Sequence, residues 1–427
     1  MSKITFITFG CKVNTYETQV MRESFLEKGH TEVPDDNSAD IVVINSCTVT
    51  EQADKKLLKT LRRIRRENPG ACIVLTGCYP QAHKEIPDGL ADIVTGTKDR
   101  RSVADIVAEH QKGREKAVAL PPLTADFEST RVHYSEGHTR AFVKIQDGCE
   151  MNCSYCIIPQ ARGKMRSKPP GELRAEIEGL AANGYKEIVL VGINIMFYGR
   201  EYGTDIISAA ECAEDIQGIE RVRISSIEPE MMKLSHIERL AQCSKFCPSF
   251  HLSVQSGSDR ILRLMKRKYD TARYMEIVEN IRRVFPDASI TTDIMTGFPT
   301  ETEEDHLDSM RFARAVSFSD MHVFTFSPRQ GTPAFDMEQV RNEIKHRRTE
   351  EMTMLGKELS AAFNKARIGS TCEVLFERER PDGTHRGHTK NYLSVNLKEK
   401  HPFTMRGKTA AVLITDADEN TLYGDLI

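Results

Sequence analysis

Six of the eleven cysteines in this 427-residue chain fall into two groups of three. Cys149, Cys153 and Cys156 share one short run, Gly148-Cys149-Glu150-Met151-Asn152-Cys153-Ser154-Tyr155-Cys156. Cys11, Cys47 and Cys78 are spread over the N-terminal region, in Phe9-Gly10-Cys11, Asn45-Ser46-Cys47 and Thr76-Gly77-Cys78. A [4Fe–4S] cubane takes one thiolate per iron, so three thiolates leave one iron open. An open position is what separates a catalytic metal site from a structural one. Two open sites in one chain point to redox chemistry carried out on a substrate. For the compact triplet the alternative is zinc completed by His133 or His138, but zinc knuckles use paired C-x2-C spacings.

Thiols so far apart in sequence need a scaffold that converges them. The first part of the chain alternates strand and helix patterns. Ile4–Phe9, Asp40–Ile44 and Ala71–Leu75 are apolar runs, with a fourth at Asp92–Val94, and helical patterns cover Thr15–Lys28 and Glu51–Arg66. These read as buried parallel strands of an open α/β sheet. Each scattered cysteine falls just past a strand, on the edge where open parallel sheets bind ligands. Ala117–Asp126, with Pro121-Pro122, reads as a linker. Six more strand patterns follow, at Ala141–Gln146, Glu187–Val191, Val222–Ser225, Phe250–Val254, Ile290–Met295 and His322–Phe326. They imply a parallel barrel, complete or partial, with active groups in the loops after the strands. Cys149 stands just past the first. A long polar helix over Glu338–Ala366 leads to short strands with turns at Pro381-Asp382-Gly383 and Met405-Arg406-Gly407, the pattern of a small all-β barrel.

Composition narrows the setting. No apolar run approaches the ~20 residues of a membrane span, and no secretory signal pattern opens the chain. Eleven cysteines in that context fit a reducing cytoplasm. A net charge of −3 leaves any nucleic-acid contact to local patches. One patch is the helix bearing Lys55, Lys56, Lys59, Arg62, Arg63, Arg65 and Arg66. Another is Arg260, Arg263, Lys266, Arg267 and Lys268. Either could track phosphates, or be a solvated helix face. The tail offers Arg378, Arg380, Arg386, His388 and Lys390, with Tyr392 placed either to stack on a base or to pack inward. Cys72, Cys212, Cys243, Cys247 and Cys372 lack ligand spacing and read as packing residues.

The C-x3-C-x2-C run, with Tyr155 before its last cysteine, resembles the signature of the radical S-adenosylmethionine (SAM) superfamily. That resemblance implies that the open iron chelates SAM and that the reduced cluster cleaves it to a 5′-deoxyadenosyl radical. Other segments sit on the same barrel rim: Val191-Gly192-Ile193-Asn194, Ser226-Ile227-Glu228-Pro229, Gln255-Ser256-Gly257 and Asp293–Pro299. Gly192, Asn194, Ser226, Glu228 and Gln255 are the candidate SAM contacts, the glycine for close backbone approach and the rest for polar groups.

With Gly10-Cys11-Lys12-Val13-Asn14, His251–Gly257 and Phe324–Pro333 added, the whole chain resembles the radical SAM methylthiotransferases. The resemblance implies three domains. Residues 1–120 form a methylthiotransferase domain, an open parallel α/β sheet whose Cys11, Cys47 and Cys78 hold an auxiliary [4Fe–4S] cluster carrying the sulfur. Residues 135–366 form a radical SAM domain, a partial (β/α)6 barrel with a second [4Fe–4S] cluster on Cys149, Cys153 and Cys156. Residues 368–427 form a TRAM domain, a small β-barrel that binds RNA. One SAM donates the methyl group and another supplies the radical. Lys12-Val13 is most similar to the subgroup acting on N6-threonylcarbamoyladenosine of tRNA, 3′ to the anticodon. Two other subgroups act on N6-isopentenyladenosine, with Gln-Met at those positions, and on a ribosomal-protein aspartate. The implied partners are the tRNA anticodon stem-loop and an electron donor such as flavodoxin or ferredoxin. Thr300 departs from a Gly-Phe-Pro-Gly pattern. A cobalamin-dependent methylase is disfavoured because no Asp-x-His-x-x-Gly run precedes the barrel. A non-catalytic iron–sulfur RNA-binding protein is the alternative from another class.

Overall fold

The computed structural model describes residues 1–83, 86–113, 117–401 and 403–427. The N-terminal unit contains strands β1 (Lys3–Thr8), β2 (Thr31–Glu32), β3 (Ile41–Ser46), β4 (Cys72–Gly77), β5 (Ile93–Thr95) and β6 (Ala117–Ala119). Helices α1 (Lys12–Glu27), α2 (Glu51–Glu67), α3 (Cys78–Ala82) and α4 (Val103–His110) connect them. All six strands are parallel, in the order β2-β1-β3-β4-β5-β6. Helices cover both faces, so Val42, Val43, Ile44, Ile73, Val74 and Leu75 are fully buried. The start of the expected linker is the sheet's sixth strand, so the linker proper is shorter than its composition implies.

The central unit begins with β7 (Arg140–Lys144) and a short antiparallel pair, β8 (Gln146–Asp147) and β9 (Arg166–Ser167), that brackets the cysteine run. The parallel strands continue with β10 (Glu187–Val191), β11 (Arg221–Ile224), β12 (Ser249–His251), β13 (Ser289–Thr296) and β14 (Asp320–Thr325). Between them run α5 (Ile158–Arg162), α6 (Pro170–Ala182), α7 (Ile206–Glu211), α8 (Leu234–Gln242), α9 (Asp259–Leu264), α10 (Thr271–Val284) and α11 (Glu303–Val316). Two three-stranded sheets, β11-β10-β7 and β12-β13-β14, are joined by the single bridges Val222–Phe246 and Ile227–Leu252. Among the described residues no ladder joins β7 to β14, so the barrel is partial. Alternation decides its two faces. Ala141, Val143, Ile145, Ile188, Leu190, Val222 and Ile224 pack outward under helices, whereas Arg140, Lys144, Glu187, Arg221 and Arg223 take the opposite, inner face. Helix α1 lies against β7, so the N-terminal sheet covers that side of the opening.

Helix α12 (Asn342–Lys365) then leads to a closed five-stranded barrel of β15 (Thr371–Glu379), β16 (His385–Thr389), β17 (Ser394–Leu397), β18 (Thr409–Ala417) and β19 (Leu422–Leu426). Val374, Phe376, Val395, Val412 and Ile414 fill it. It seats on the N-terminal ends of the large barrel's strands, where Arg140 pairs with Glu377 at 2.7 Å and Arg221 with Glu373 at 2.8 Å.

Candidate active site: two thiol triplets

Strands β1, β3 and β4 are neighbours, and their register sets Thr8 beside Asn45 and Ser46 beside Gly77. Their ends are level, which gathers the three cysteines that follow. Cys11 caps α1, Cys47 directly follows β3, and Cys78 opens α3. The approach is tight enough to demand glycine. At φ 110° a Cβ on Gly10 would lie 2.7 Å from Cys47 Cβ, and at φ 103° one on Gly77 would lie 2.4 Å from the Ser46 carbonyl oxygen. Asn14 ties the turn together, its Nδ2 donating to the carbonyls of Phe9 (2.9 Å) and Ser46 (3.0 Å). Burial, reinforced by Cys78 and Cys11, pushes the Cys47 thiol up to about 12. Such thiols need a metal to hold them as thiolates at neutral pH.

The compact triplet packs with Met151, Tyr155 and Phe197 in a small apolar cluster. Burial pushes Cys149 to about 11 and Cys156 to about 12, and the neighbouring thiols add to both shifts. Arg267 Nη1 donates to Cys153 Sγ at 3.3 Å, and its Nη2 is paired with Glu228. Arg267 is therefore buried at the thiols, not on a phosphate-tracking surface. Arg260, paired with Asp305, is committed as well, which leaves Arg263, Lys266 and Lys268 as the exposed cations of the second basic patch.

The candidate SAM contacts separate by environment. Asn194 is buried, with Nδ2 4.0 Å from Cys149 Sγ and an Oδ1 that has no hydrogen-bond partner among the described residues. Gln255 holds a left-handed φ of 66°, and its buried Oε1 also lacks a partner. These two unmatched acceptors are what a ligand carrying N–H or O–H donors would satisfy, so the pocket fits SAM's amino and hydroxyl groups. Burial raises the Glu228 carboxyl while Arg267 opposes it, which makes Glu228 an anchor for Arg267. Ser226 is exposed on the rim. At Gly192 a Cβ would meet Gln146 at 3.0 Å, so its small size serves packing there.

Arg162, fully buried at the end of α5, joins the triplets. Its Nε donates to Cys78 Sγ at 3.3 Å and its Nη2 to Asn14 Oδ1 at 2.8 Å. Its guanidinium also grips Glu17 at 2.5 and 3.0 Å and Asp147 at 3.3 Å. Arg100 and Lys144 also bind Glu17, and Lys144 and Arg166 bind Asp147. Burial alone would raise both carboxyls, but Arg100, Arg162 and Lys144 hold Glu17 well below its usual range, and Lys144, Arg162 and Arg166 do the same for Asp147. Four cations thus face two carboxylates beside Cys78, an electropositive setting for an anionic thiolate cluster. None of these charges was marked by the sequence as more than a polar residue. The nearest signal was the position of Arg162 just beyond the compact triplet.

The remaining expectations meet mixed outcomes. No three His, Cys, Asp or Glu side chains among the described residues converge on a point that could hold a single metal ion. A cubane spreads its thiolates over separate irons. His133 is bound to Glu23 at 2.8 Å and His138 packs on Phe142, so neither completes a zinc site. On α2, Arg63, Arg65 and Arg66 are engaged with Asp36, Asp92 and Glu67. Among the described residues Lys59 and Arg62 are exposed, make no side-chain hydrogen bond or ion pair and remain available. Tyr392 is stacked on His388 (4.8 Å) and flanked by Arg140 and Arg223, yet it stays exposed and is no part of the small barrel's core. His388 itself pairs with Glu377 at 2.7 Å and Lys390 is half-buried, so of the five expected basic residues of the tail Arg378, Arg380 and Arg386 are exposed. A groove of about 810 Å³ opens between α2 and the unpaired edge of β14, lined by Thr50, Lys55, His322, Phe324, Lys345 and His346.

A partial parallel barrel with a three-cysteine loop after its first strand defines a radical SAM enzyme. The model of the radical SAM superfamily matches residues 143–313, that of uncharacterized protein family UPF0004 residues 3–96, and that of the TRAM domain residues 365–427. The chain is 36% identical over 406 residues to threonylcarbamoyladenosine tRNA methylthiotransferase MtaB of Thermotoga maritima, covering 94% of this chain and 92% of that protein. It is 35% identical to the Bacillus subtilis protein of the same name, covering 98% and 94%. It is 33% identical to tRNA-2-methylthio-N(6)-dimethylallyladenosine synthase of Pelotomaculum thermopropionicum, covering 100% and 98%. The chain belongs to the radical SAM methylthiotransferase family. Among solved structures, the radical SAM methyltransferase TsrM of Kitasatospora setae shares the fold with a TM-score of 0.57 at 14% identity, covering 78% of this chain and 74% of that one.

Proposed function

We propose that this chain inserts a methylthio group at C2 of N6-threonylcarbamoyladenosine at position 37 of tRNA. In this reading Cys149, Cys153 and Cys156 hold one [4Fe–4S] cluster, with SAM on its open iron, and Cys11, Cys47 and Cys78 hold another. When bound, the first supplies the radical chemistry of SAM and the second the sulfur. The protein's own residues position and insulate: Asn194 and Gln255 accept from SAM, Arg267 and Arg162 each donate to one cluster thiolate, and the apolar wall of Met151 and Phe197 excludes water. The groove at α2 and β14 is the approach for an RNA loop, with Lys55 and Lys345 for phosphates and Phe324 for a base. The observation that carries the two-cluster reading is Arg162, which leaves the loop of one triplet and ends on a thiol of the other. The substrate assignment is supported by Lys12-Val13 and by the names of the Thermotoga and Bacillus relatives.

Reconstituted protein is expected to hold about eight irons. Replacing Cys11, Cys47 and Cys78 with Ala should leave about four, with SAM cleavage intact and no methylthio product. Normal product from that variant ends the second-cluster assignment. For the substrate, nucleoside mass spectrometry of tRNA from a deletion strain decides. Loss of the methylthio-threonylcarbamoyl nucleoside supports the reading, and loss of the isopentenyl analogue overturns it.

A further inference from the structure

The lumen of the partial barrel carries an unusual amount of charge at the N-terminal ends of β7, β10 and β11, and almost all of it is balanced. Arg140 pairs with Glu377 (2.7 Å), Arg223 with Glu187 (3.0 Å) and Arg221 with Glu373 (2.8 Å). Three arginines meet three glutamates. The C-terminal barrel closes this end, with Tyr392 placed between Arg140 and Arg223, whose guanidinium carbons lie 4.9 and 4.6 Å from its ring centre. On the opposite wall Asp293 is matched by His251 and His322, each at 3.1 Å.

Lys12 is the exception. It is the first residue of α1, directly after Cys11, on the helix that lies against β7. Thr15, three residues along α1, lines one pocket with Phe142 of β7 and with His138 just before it, and Tyr392, Arg140, Arg223 and Cys11 are the ionisable groups that act on Lys12, so it faces this floor. It is nonetheless solvent-exposed, and among the described residues it makes no hydrogen bond or ion pair. Helix α1 therefore adds a cation to a set whose other charges cancel, and does so next to the first thiol of the spread triplet. An ammonium kept accessible, unpaired and close to the reacting centre fits an anionic group of the substrate.

We propose that Lys12 receives the carboxylate of the substrate's N6 substituent, and so selects a carboxylate-bearing adenosine over one carrying an uncharged hydrocarbon. This rests on the threonylcarbamoyl reading given above. The carboxylate is the only anionic group on that modified base. A charge-assisted hydrogen bond to the ammonium holds the N6 arm on the lumen floor, while C2, one ring nitrogen from the carbon that bears N6, turns toward the thiols. An isopentenyl arm gives Lys12 nothing to bind and leaves the cation desolvated without a partner. Lys12 is a specificity residue in this scheme: it touches substrate but moves no proton or electron.

The test uses the full chain and two anticodon stem-loop RNAs, identical except that the threonine carboxylate of one is converted to the neutral carboxamide. Wild type is expected to favour the acid in kcat/KM by about 10- to 150-fold, the range of a hydrogen bond to a charged group. Lys12→Gln should collapse that ratio to near one, and Lys12→Arg should restore most of it. Equilibrium binding of the same two RNAs to metal-free protein is the second readout, with the same preference in wild type and its loss in Lys12→Gln. It keeps the test decisive if a change beside Cys11 disturbs iron loading. If wild type converts the acid but Lys12→Gln keeps the full preference in both measurements, the role of Lys12 is overturned and the substrate reading survives. If wild type converts only isopentenyl RNA, the substrate reading fails and takes the role of Lys12 with it.

Discussion

The two thiol triplets solve the same problem by opposite routes. Cys149, Cys153 and Cys156 are brought together by one loop, and the arginine that donates to them, Arg267, comes from the same barrel. Cys11, Cys47 and Cys78 are brought together by the level ends of three parallel strands, and their arginine, Arg162, belongs to the other unit. Each arginine ends 3.3 Å from one sulfur and is neutralised by carboxylates, Glu228 in one case and Glu17 with Asp147 in the other. The local triplet is thus complete within its own unit, while the long-range triplet is finished by its neighbour. A site built by topology gathers its ligands cheaply but has to borrow its electrostatics.

Breaking the borrowed contact should cost most. Arg162→Met leaves Glu17 and Asp147 buried with fewer partners, and truncating one member of a buried charge network costs about 3–5 kcal/mol. Anaerobic urea unfolding should show that loss, and an unchanged midpoint would remove the claimed dependence of one unit on the other. Arg267→Met should cost less, about 1–3 kcal/mol, because the Glu228 side chain keeps 19% exposure and rehydrates. A larger loss for Arg267→Met than for Arg162→Met reverses the comparison.

A third contrast lies in the backbone. Around the spread triplet, left-handed positions are glycines, Gly10 and Gly77. Around the compact one Gly148 is joined by non-glycine residues, Asn152, Gln255, Lys266 and, farther along the rim, Thr300 at φ 63°. A β-branched residue there is strained. Thr300→Gly should raise stability by about 0.5–1 kcal/mol, the left-handed penalty less the entropy glycine loses on folding. A destabilised variant would show that the Thr300 side chain contributes more than its backbone costs. The smallest effect expected concerns reactivity, where the triplets should agree. Burial pushes both Cys47 and Cys156 up to about 12. In metal-free protein their alkylation should climb about tenfold per pH unit well past the ~8.5 at which an ordinary thiol levels off. A plateau for Cys47 near that value, with none for Cys156, would show that the two environments differ after all.

How much of this was legible beforehand follows from what each residue depends on. The strands that place the cysteines were readable because a strand buried on both faces must be apolar along its length, as Ile41–Ile44 and Ile73–Leu75 are. The boundary at Ala117 was missed because an edge strand of three residues carries too little pattern to stand apart from a linker. Arg267 and Arg260 looked like a basic surface because a sequence shows charges and hides their partners, here Glu228 and Asp305. Gly192 was singled out for close backbone approach, and the approach seen in the structure is to Gln146, which opens β8. Thr300 stood out as a departure from pattern, and the left-handed backbone now gives that departure a physical cost.

Arg162 also imposes an order on synthesis. The three strands that gather Cys11, Cys47 and Cys78 leave the ribosome first, and the stretch from Cys78 to Arg162 takes roughly 4–17 s at about 5–20 residues per second. Through that interval the sheet can assemble, yet its thiols have neither the guanidinium nor the cover of the barrel. Iron–sulfur delivery to the nascent chain would meet an electrostatically unfinished cradle, whereas delivery after release would meet one with Arg162 in place and Cys11 still exposed. The arginine that completes the first site thus joins it only after all three of its thiols have been made.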